Sequence, residues 1–247
     1  MIFQLDDELW FPDPHLADED GCLAVGGDLS VDRLLLAYQY GIFPWYAFRY
    51  DKPVWYCPKK RFVIFPDEIH VSHSMRTLMN KHRYRVSFNE DFEGVIRNCG
   101  RLRIDEDTAW LGPEMTAAYI ELHRQGFAAS VEVWSSESSE LSEKSELSEF
   151  SEFSEKSEKS ELSESSESSE HLVGGLYGVN IGNAFFGESM FSLVPSGSKL
   201  ALIALARMMQ SCGGSLIDCQ LETPHLKSMG GRYIDYDEYM KIISSAD

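Results

Sequence analysis

LVGGLYGVNIGNAFFGESMF, residues 172–191, reads as two strands joined by a turn. Leu172–Val179 and Asn183–Phe191 are rich in aliphatic and aromatic side chains, and Asn180–Gly182 supplies turn chemistry between them. The second strand carries Gly187, Glu188 and Met190 near its end. A carboxylate inside an apolar strand costs free energy unless something pairs with it, so Glu188 is a candidate for a built site. Asp218 sits in the same kind of setting, within Leu216-Ile217-Asp218-Cys219-Gln220.

Downstream of the hairpin, SKLALIALARMMQ predicts an amphipathic helix over 197–210, begun by Ser198. Gly213-Gly214 turns the chain into a predicted strand over 215–221, and a short helix is predicted over 233–243. On a strand, residues i and i+2 share a face, so Asp218 and Gln220 are expected to project together. The same spacing also suits a satisfied polar pair in a core. Upstream lie a predicted strand over 127–134 and a predicted helix over 113–125, stopped by Gly126.

Between Trp134 and Leu172 stands 135–170, twelve unbroken copies of x-Ser-Glu. A period of three matches neither a helix nor a strand, and its like charges have few apolar partners, so disorder is expected. The array reads as a hairpin loop expanded on the surface, which a fold tolerates because closure cost grows only logarithmically with length. An acidic interaction tail or a phosphorylated segment is the functional alternative.

Toward the N-terminus, Arg61–Phe65 and Tyr84–Phe88 read as strands, and Ser72–His82 and Asp91–Cys99 as helices, the first of them basic. Ser30 caps a predicted helix through about Tyr40, followed by Phe43-Pro44-Trp45 and an aromatic loop to Pro58; residues 1–29 read as mostly irregular. Trp45 and Trp55 suit core packing of a small domain.

With 247 residues, 43% of them apolar, the chain can build one large or two small domains with real cores. The N-terminus is acidic where a signal peptide is basic. The longest apolar run, Leu200–Met209, contains Arg207 and falls well short of the about 20 residues a membrane span needs. Five scattered cysteines without a C-x-x-C pair suggest neither a disulfide framework nor a zinc site, so a reducing cytoplasm fits best. The net charge of -18 argues against nucleic acid, but its distribution does not. The array holds 12 Glu and 3 Lys, half of that charge, while Lys59–Arg103 carries 10 Lys/Arg against 5 Asp/Glu. A basic face on an acidic protein is therefore available.

The order of elements suggests an α+β fold, a mixed sheet with helices packed on it, as in several acyltransferases. A coenzyme A site needs a glycine-rich loop that opens a helix; the nearest candidate, Gln210–Gly214, closes one instead. Ser189 lacks a complete nucleophile elbow, because Phe191 stands where the last glycine belongs. Glu188, Asp218 and Gln220 remain.

Gly27-Asp28-Leu29-Ser30, Ala37-Tyr38-Gln39, Gly41-Ile42-Phe43-Pro44-Trp45, Leu172-Val173-Gly174-Gly175, Phe186–Phe191, Ser198-Lys199 and Ile217–Gln220 together resemble the bacterial leucyl/phenylalanyl-tRNA–protein transferase family, in order from about residue 10 to 230. The resemblance implies a small N-terminal domain over 1–65. It implies a GCN5-like acyltransferase (GNAT) domain over 66–247, with a mixed sheet flanked by helices and the Ser/Glu insert at 135–170. It implies transfer of Leu or Phe, and less well Met, from aminoacyl-tRNA to the α-amine of proteins beginning with Arg or Lys. The product is an N-end-rule degradation signal. No cofactor, metal or membrane is implied, and a monomer is expected.

By the same resemblance, Glu188, Asp218 and Gln220 lie at the reaction centre. Gln220, oriented by Asp218, would hold the incoming amine; Glu188 would order the site or receive the cationic acceptor. Leu176, Phe185 and Met190 would line the aminoacyl pocket, with Tyr38 and Ile217 in the matching blocks. Trp45 and Trp110 would pack on the terminal adenosine, and Arg76, Lys81, Arg83 and Arg85 would contact the tRNA backbone. Two rivals stay open: an acyltransferase that uses coenzyme A, and a catalytically silent tRNA-binding module.

Overall fold

The computed structural model describes residues 2–45, 52–101, 111–136 and 170–245. Trp110 and residues 137–169 of the array therefore lie outside the described residues. The central hairpin forms as its sequence predicts. β8 (His171–Ile181) and β9 (Ala184–Ser192) pair antiparallel, turning through Gly182 at φ 57°. Gly174 permits a close approach: a Cβ there would stand 2.9 Å from the backbone of Gly197.

A seven-stranded sheet is built outward from this hairpin. Its remaining strands are β5 (Lys60–Ile64), β6 (Tyr84–Phe88), β7 (Ala128–Ser135), β10 (Leu216–Asp218) and β11 (Arg232–Asp235). The order is β11-β5-β10-β9-β8-β7-β6, with β9 and β10 parallel and every other pair antiparallel. One face is covered by α5 (Gly197–Ser211), which buries Leu202 and Leu205 against Leu176, Phe185 and Ile217. The other face carries α1 (Val31–Gln39), α3 (Phe92–Arg101) and α4 (Pro113–Arg124), which enclose Tyr177, Val179 and Phe186. α2 (His73–Asn80), α6 (Pro224–Ser228) and α7 (Tyr236–Ile243) complete seven α-helices among the described residues.

A second mixed sheet of four strands holds the N-terminal part: β1 (Phe3–Leu5), β2 (Cys22–Gly26), β3 (Phe43–Trp45) and β4 (Val54–Tyr56), in the order β1-β2-β4-β3. Most of residues 1–29 were expected to be irregular, yet they contribute two strands. β2, CLAVG, is buried throughout, so it lacks the polar–apolar alternation that marks a half-exposed strand. Pro44 is accommodated because β3 is an edge strand.

Two further expectations are corrected. Residues 232–235 form an edge strand on β5 rather than the start of the last helix, which begins at Tyr236. β10 ends at Asp218 instead of running to Leu221, because Gln220 adopts a left-handed conformation with φ 57°.

Candidate active site

The site arises where two parallel strands part. β9 and β10 stay in register through Phe186 opposite Asp218. Beyond that point the chain keeps its bonds to β5: Cys219 donates its N–H to the Phe62 carbonyl at 2.9 Å, and the Gln220 carbonyl accepts from Phe62 at 3.3 Å. β9 meanwhile bulges. Tyr177 pairs with Ser189 and Gly178 with Gly187, leaving Glu188 as the extra residue. A bulge bends its strand and re-aims a side chain, which here places a carboxylate in the gap.

Glu188 is held from both sides of the chain's sequence. Tyr38 of α1 donates to its Oε1 at 2.7 Å, Tyr119 of α4 to its Oε2 at 2.8 Å, and Gln220 Nε2 to Oε1 at 3.2 Å. The two tyrosine hydroxyls are themselves 2.7 Å apart. Three short contacts thus form a ring, but two hydroxyls bring only two protons. A proton on Glu188 supplies the third: the carboxyl then donates to one tyrosine, which turns its own hydroxyl hydrogen toward the other. Burial acts the same way: it raises the carboxyl to about 7, against the opposing pull of the Tyr38 and Tyr119 hydrogen bonds.

Asp218 is fully buried and, unlike Gln220, does not line the cavity: its side chain bonds Arg61 and Tyr239 while that of Gln220 bonds Glu188, so the two do not act side by side as strand spacing predicted. Its Oδ2 accepts from Arg61 Nε at 2.9 Å and from Tyr239 Oη at 2.8 Å. Its Oδ1 accepts the backbone N–H of Gln220 at 2.8 Å, which pins the left-handed turn. Arg61 is fully buried too, stacked over the rings of Phe43 and Tyr239. Burial alone would lower its pKa, but the Asp218 carboxylate more than offsets this and keeps the guanidinium charged. Asp218 is therefore an anchor for Gln220, placed by the backbone rather than by shared strand direction.

The gap opens into a cavity of about 520 Å³. Leu176, Phe185, Met190, Ile217, Leu202 and Leu205 form its apolar wall, and Glu188 and Gln220 stand at one side. That volume lies in the usual range for a small-molecule site. Gln220 gives its side-chain amide N–H to Glu188, and its side-chain oxygen Oε1 makes no hydrogen bond among the described residues. Cys219 also lines the cavity, where burial and the neighbouring Asp218 push its thiol up and favour the protonated form. A larger open groove, about 950 Å³, runs between Leu9–His15 and α7; it contains none of Glu188, Asp218 or Gln220.

The sequence profile described as leucyl/phenylalanyl-tRNA protein transferase matches residues 63–141 and 150–244, and that of its N-terminal domain matches 27–59. The chain belongs to this family. It is 41% identical to the leucyl/phenylalanyl-tRNA–protein transferase of Flavobacterium johnsoniae, over 99% of this chain and all of that one. It is 42% identical to a protein of the same name from an Anaeromyxobacter species, covering 99% of this chain and 90% of that one. The counterpart in Pseudomonas fluorescens is 43% identical over 92% of this chain and 86% of its own.

As a leucyl/phenylalanyl-tRNA protein transferase family member, and hence an aminoacyltransferase, the chain brings only part of its predicted residue set together. Glu188 and Gln220 meet the apolar wall, and Tyr38 reaches Glu188 from behind. Trp45 lies in the four-stranded sheet, edge-to-face with Tyr56, and does not line the cavity. Arg76 and Lys81 lie on α2 and the turn after it, and neither side chain has a hydrogen-bond or ion-pair partner among the described residues. Arg85 is engaged with Glu90 and with Glu170, both at 2.7 Å, and stacks over Trp134, so its guanidinium is already occupied.

Three residues of the site escaped sequence reasoning: Tyr119, Arg61 and Tyr239. Arg61 had a signal. It stands directly before the apolar run Phe62–Phe65, and a buried acid such as Asp218 is costly without a buried cation. Among the described residues no cluster of three or more His, Cys, Asp or Glu is arranged to hold a metal, and no helix is long and apolar enough to cross a membrane.

Proposed function

We propose that this chain transfers Leu or Phe, and less well Met, from aminoacyl-tRNA to the α-amine of proteins beginning with Arg or Lys, marking them for N-end-rule degradation. The relatives' shared name supports the classes of donor and acceptor. The observation that carries the reading is the cavity, an apolar wall meeting a carboxyl and an amide at one side. An aminoacyl side chain fits the wall between Leu176, Phe185 and Met190, a burial worth about 1.5–3 kcal/mol.

The ester is already activated, so positioning is the main task. The acceptor's α-amine has a pKa of about 8 and is partly neutral at pH 7. In this reading Gln220 accepts an N–H of that amine through its free carbonyl and turns the lone pair toward the ester carbon. The C–N bond forms, the ester C–O bond breaks, and the amine proton ends on the ribose oxygen of the departing tRNA. Glu188, once ionised, faces the cationic first side chain of the acceptor. Tyr38 and Tyr119 fix its orientation.

The same reading assigns a small N-terminal domain to 1–65 and a GCN5-like acyltransferase domain to 66–247, with β5 (Lys60–Ile64), at the end of the first segment, joining the larger sheet and 135–170 as an acidic insert. Arg76 and Lys81 meet tRNA phosphates, and the enzyme works as a cytoplasmic monomer without coenzyme A. The test is incubation of purified protein with labelled leucyl-tRNA and two peptides, one starting with Arg and one with Ala. Label should enter the Arg peptide only. Label in neither peptide, or equally in both, refutes the reading.

A further inference from the structure

A second, smaller cavity lies on the far side of α5. Leu202 and Leu205 face the acid–amide cavity, whereas Leu200, Ala204 and Arg207 line a notch of about 210 Å³ against the end of α2 and the start of β6. Leu78, Met79, Tyr84 and Val86 supply its apolar floor, and His82, Arg83 and Arg207 stand among its lining residues. No carboxylate lines it among the described residues, although the chain as a whole carries a net charge of -18. Arg207 is exposed, and its side chain has no hydrogen-bond or ion-pair partner among the described residues. His82 sits in a left-handed conformation, φ 51°, immediately after the helical turn that Lys81 closes.

An apolar slot beside two guanidinium groups suits one kind of occupant: a single unpaired nucleotide, its base on the apolar floor and its phosphate on the arginines. We propose that this notch between α2 and α5 binds one nucleotide of the unpaired 3′ strand of tRNA, with Arg207 and Arg83 on its phosphate. The inference rests on the tRNA reading above. α5 separates the notch from the acid–amide cavity by about one helix diameter, roughly 10 Å. A strand whose terminal aminoacyl adenosine entered the larger cavity could cross the helix and set a neighbouring nucleotide in the notch. Charge complementarity selects this occupant over an apolar peptide segment, which would offer Arg207 no anion.

The test measures binding of uncharged tRNA by fluorescence anisotropy, using intact tRNA and tRNA trimmed of its 3′ single strand, with wild type, Arg207→Ala and Ala204→Phe. Arg207 is exposed, so its loss leaves the fold in place; Ala204→Phe fills the slot independently. Wild type should prefer intact tRNA about five- to tenfold. Both variants should lose that preference, and Arg207→Ala should also reduce the slope of log affinity against log salt by about one. Equal wild-type affinity for intact and trimmed tRNA, or variants that keep the preference, overturns the proposal. A chain that shows the preference but transfers no amino acid would keep this inference and sink the proposed function.

Discussion

At the splay between β9 and β10 every charged side chain has partners, whereas along the α2–α5 edge Arg76, Lys81 and Arg207 have none among the described residues. The splay combines Arg61, Asp218 and Tyr239 in one network and Glu188, Tyr38 and Tyr119 in another, both in a largely buried setting. Such groups are costly to bury and costly to disturb, and they arrive at a reaction already oriented. Cations on the edge cost little to hold, are screened by salt, and act by their number. The contrast teaches where single substitutions should hurt.

The largest effect should come from Asp218→Ala. It strands a fully buried guanidinium, at a cost of about 3–5 kcal/mol, and it frees the turn that carries Gln220. Transfer should vanish and the melting temperature should fall markedly. Gln220→Ala separates the two consequences, since it leaves Arg61 paired: activity should drop about 10²-fold with melting unchanged. If Gln220→Ala turns over normally, the splay is a structural feature and not a reaction centre.

Next comes Glu188→Gln, read through pH. The folded carboxyl titrates near 7 against an ordinary value of 4.5, so the folded chain holds an extra proton between those values. Wild-type stability should therefore fall as pH rises through that window, and Glu188→Gln should remove that dependence. On the activity side, kcat/KM for the Arg peptide should rise with the ionisation of Glu188 near 7 and again with that of the substrate amine. Glu188→Gln should leave only the second limb. A pH profile identical to wild type would break the assignment.

A smaller change is expected in the cavity wall. Met190→Ala enlarges it, which should shift preference from Leu toward Phe by up to about tenfold, since a methylene or two is worth about 1–3 kcal/mol there. Competition between leucyl- and phenylalanyl-tRNA measures this directly. The smallest single effects belong to the edge. Arg76→Ala or Lys81→Ala should raise KM for aminoacyl-tRNA about two- to threefold and lower the salt slope, with kcat untouched. A kcat effect as large as that of Gln220→Ala would erase the distinction between the two regions.

The same contrast explains what the sequence made legible. Glu188 and Asp218 stood out because acids inside apolar runs must be compensated, and the hairpin around Glu188 carried clear strand and turn chemistry. Their partners stayed hidden. Arg61 lies 157 positions from Asp218 and Tyr119 lies 69 from Glu188, so no local pattern links them. The bulge that lifts Glu188 and the left-handed Gln220 likewise depend on how β9, β10 and β5 share their hydrogen bonds. The four-stranded sheet was missed for a different reason: three of its strands have only three residues, and β2 is buried on both faces. On the α2–α5 edge, charge counting found the basic segment but not Arg207, which reaches it from a helix over 120 positions away.

The central claim is that the aminoacyl ester is received in the gap between β9 and β10. A crystal structure with a non-hydrolysable amide-linked 3′-phenylalanyl-aminoadenosine tests it most directly. The phenylalanyl ring should lie between Leu176, Phe185 and Met190, with its carbonyl carbon beside the Gln220 amide. A ligand found in the groove beside α7, or a gap closed by collapse of Met190 onto Ile217, would contradict it.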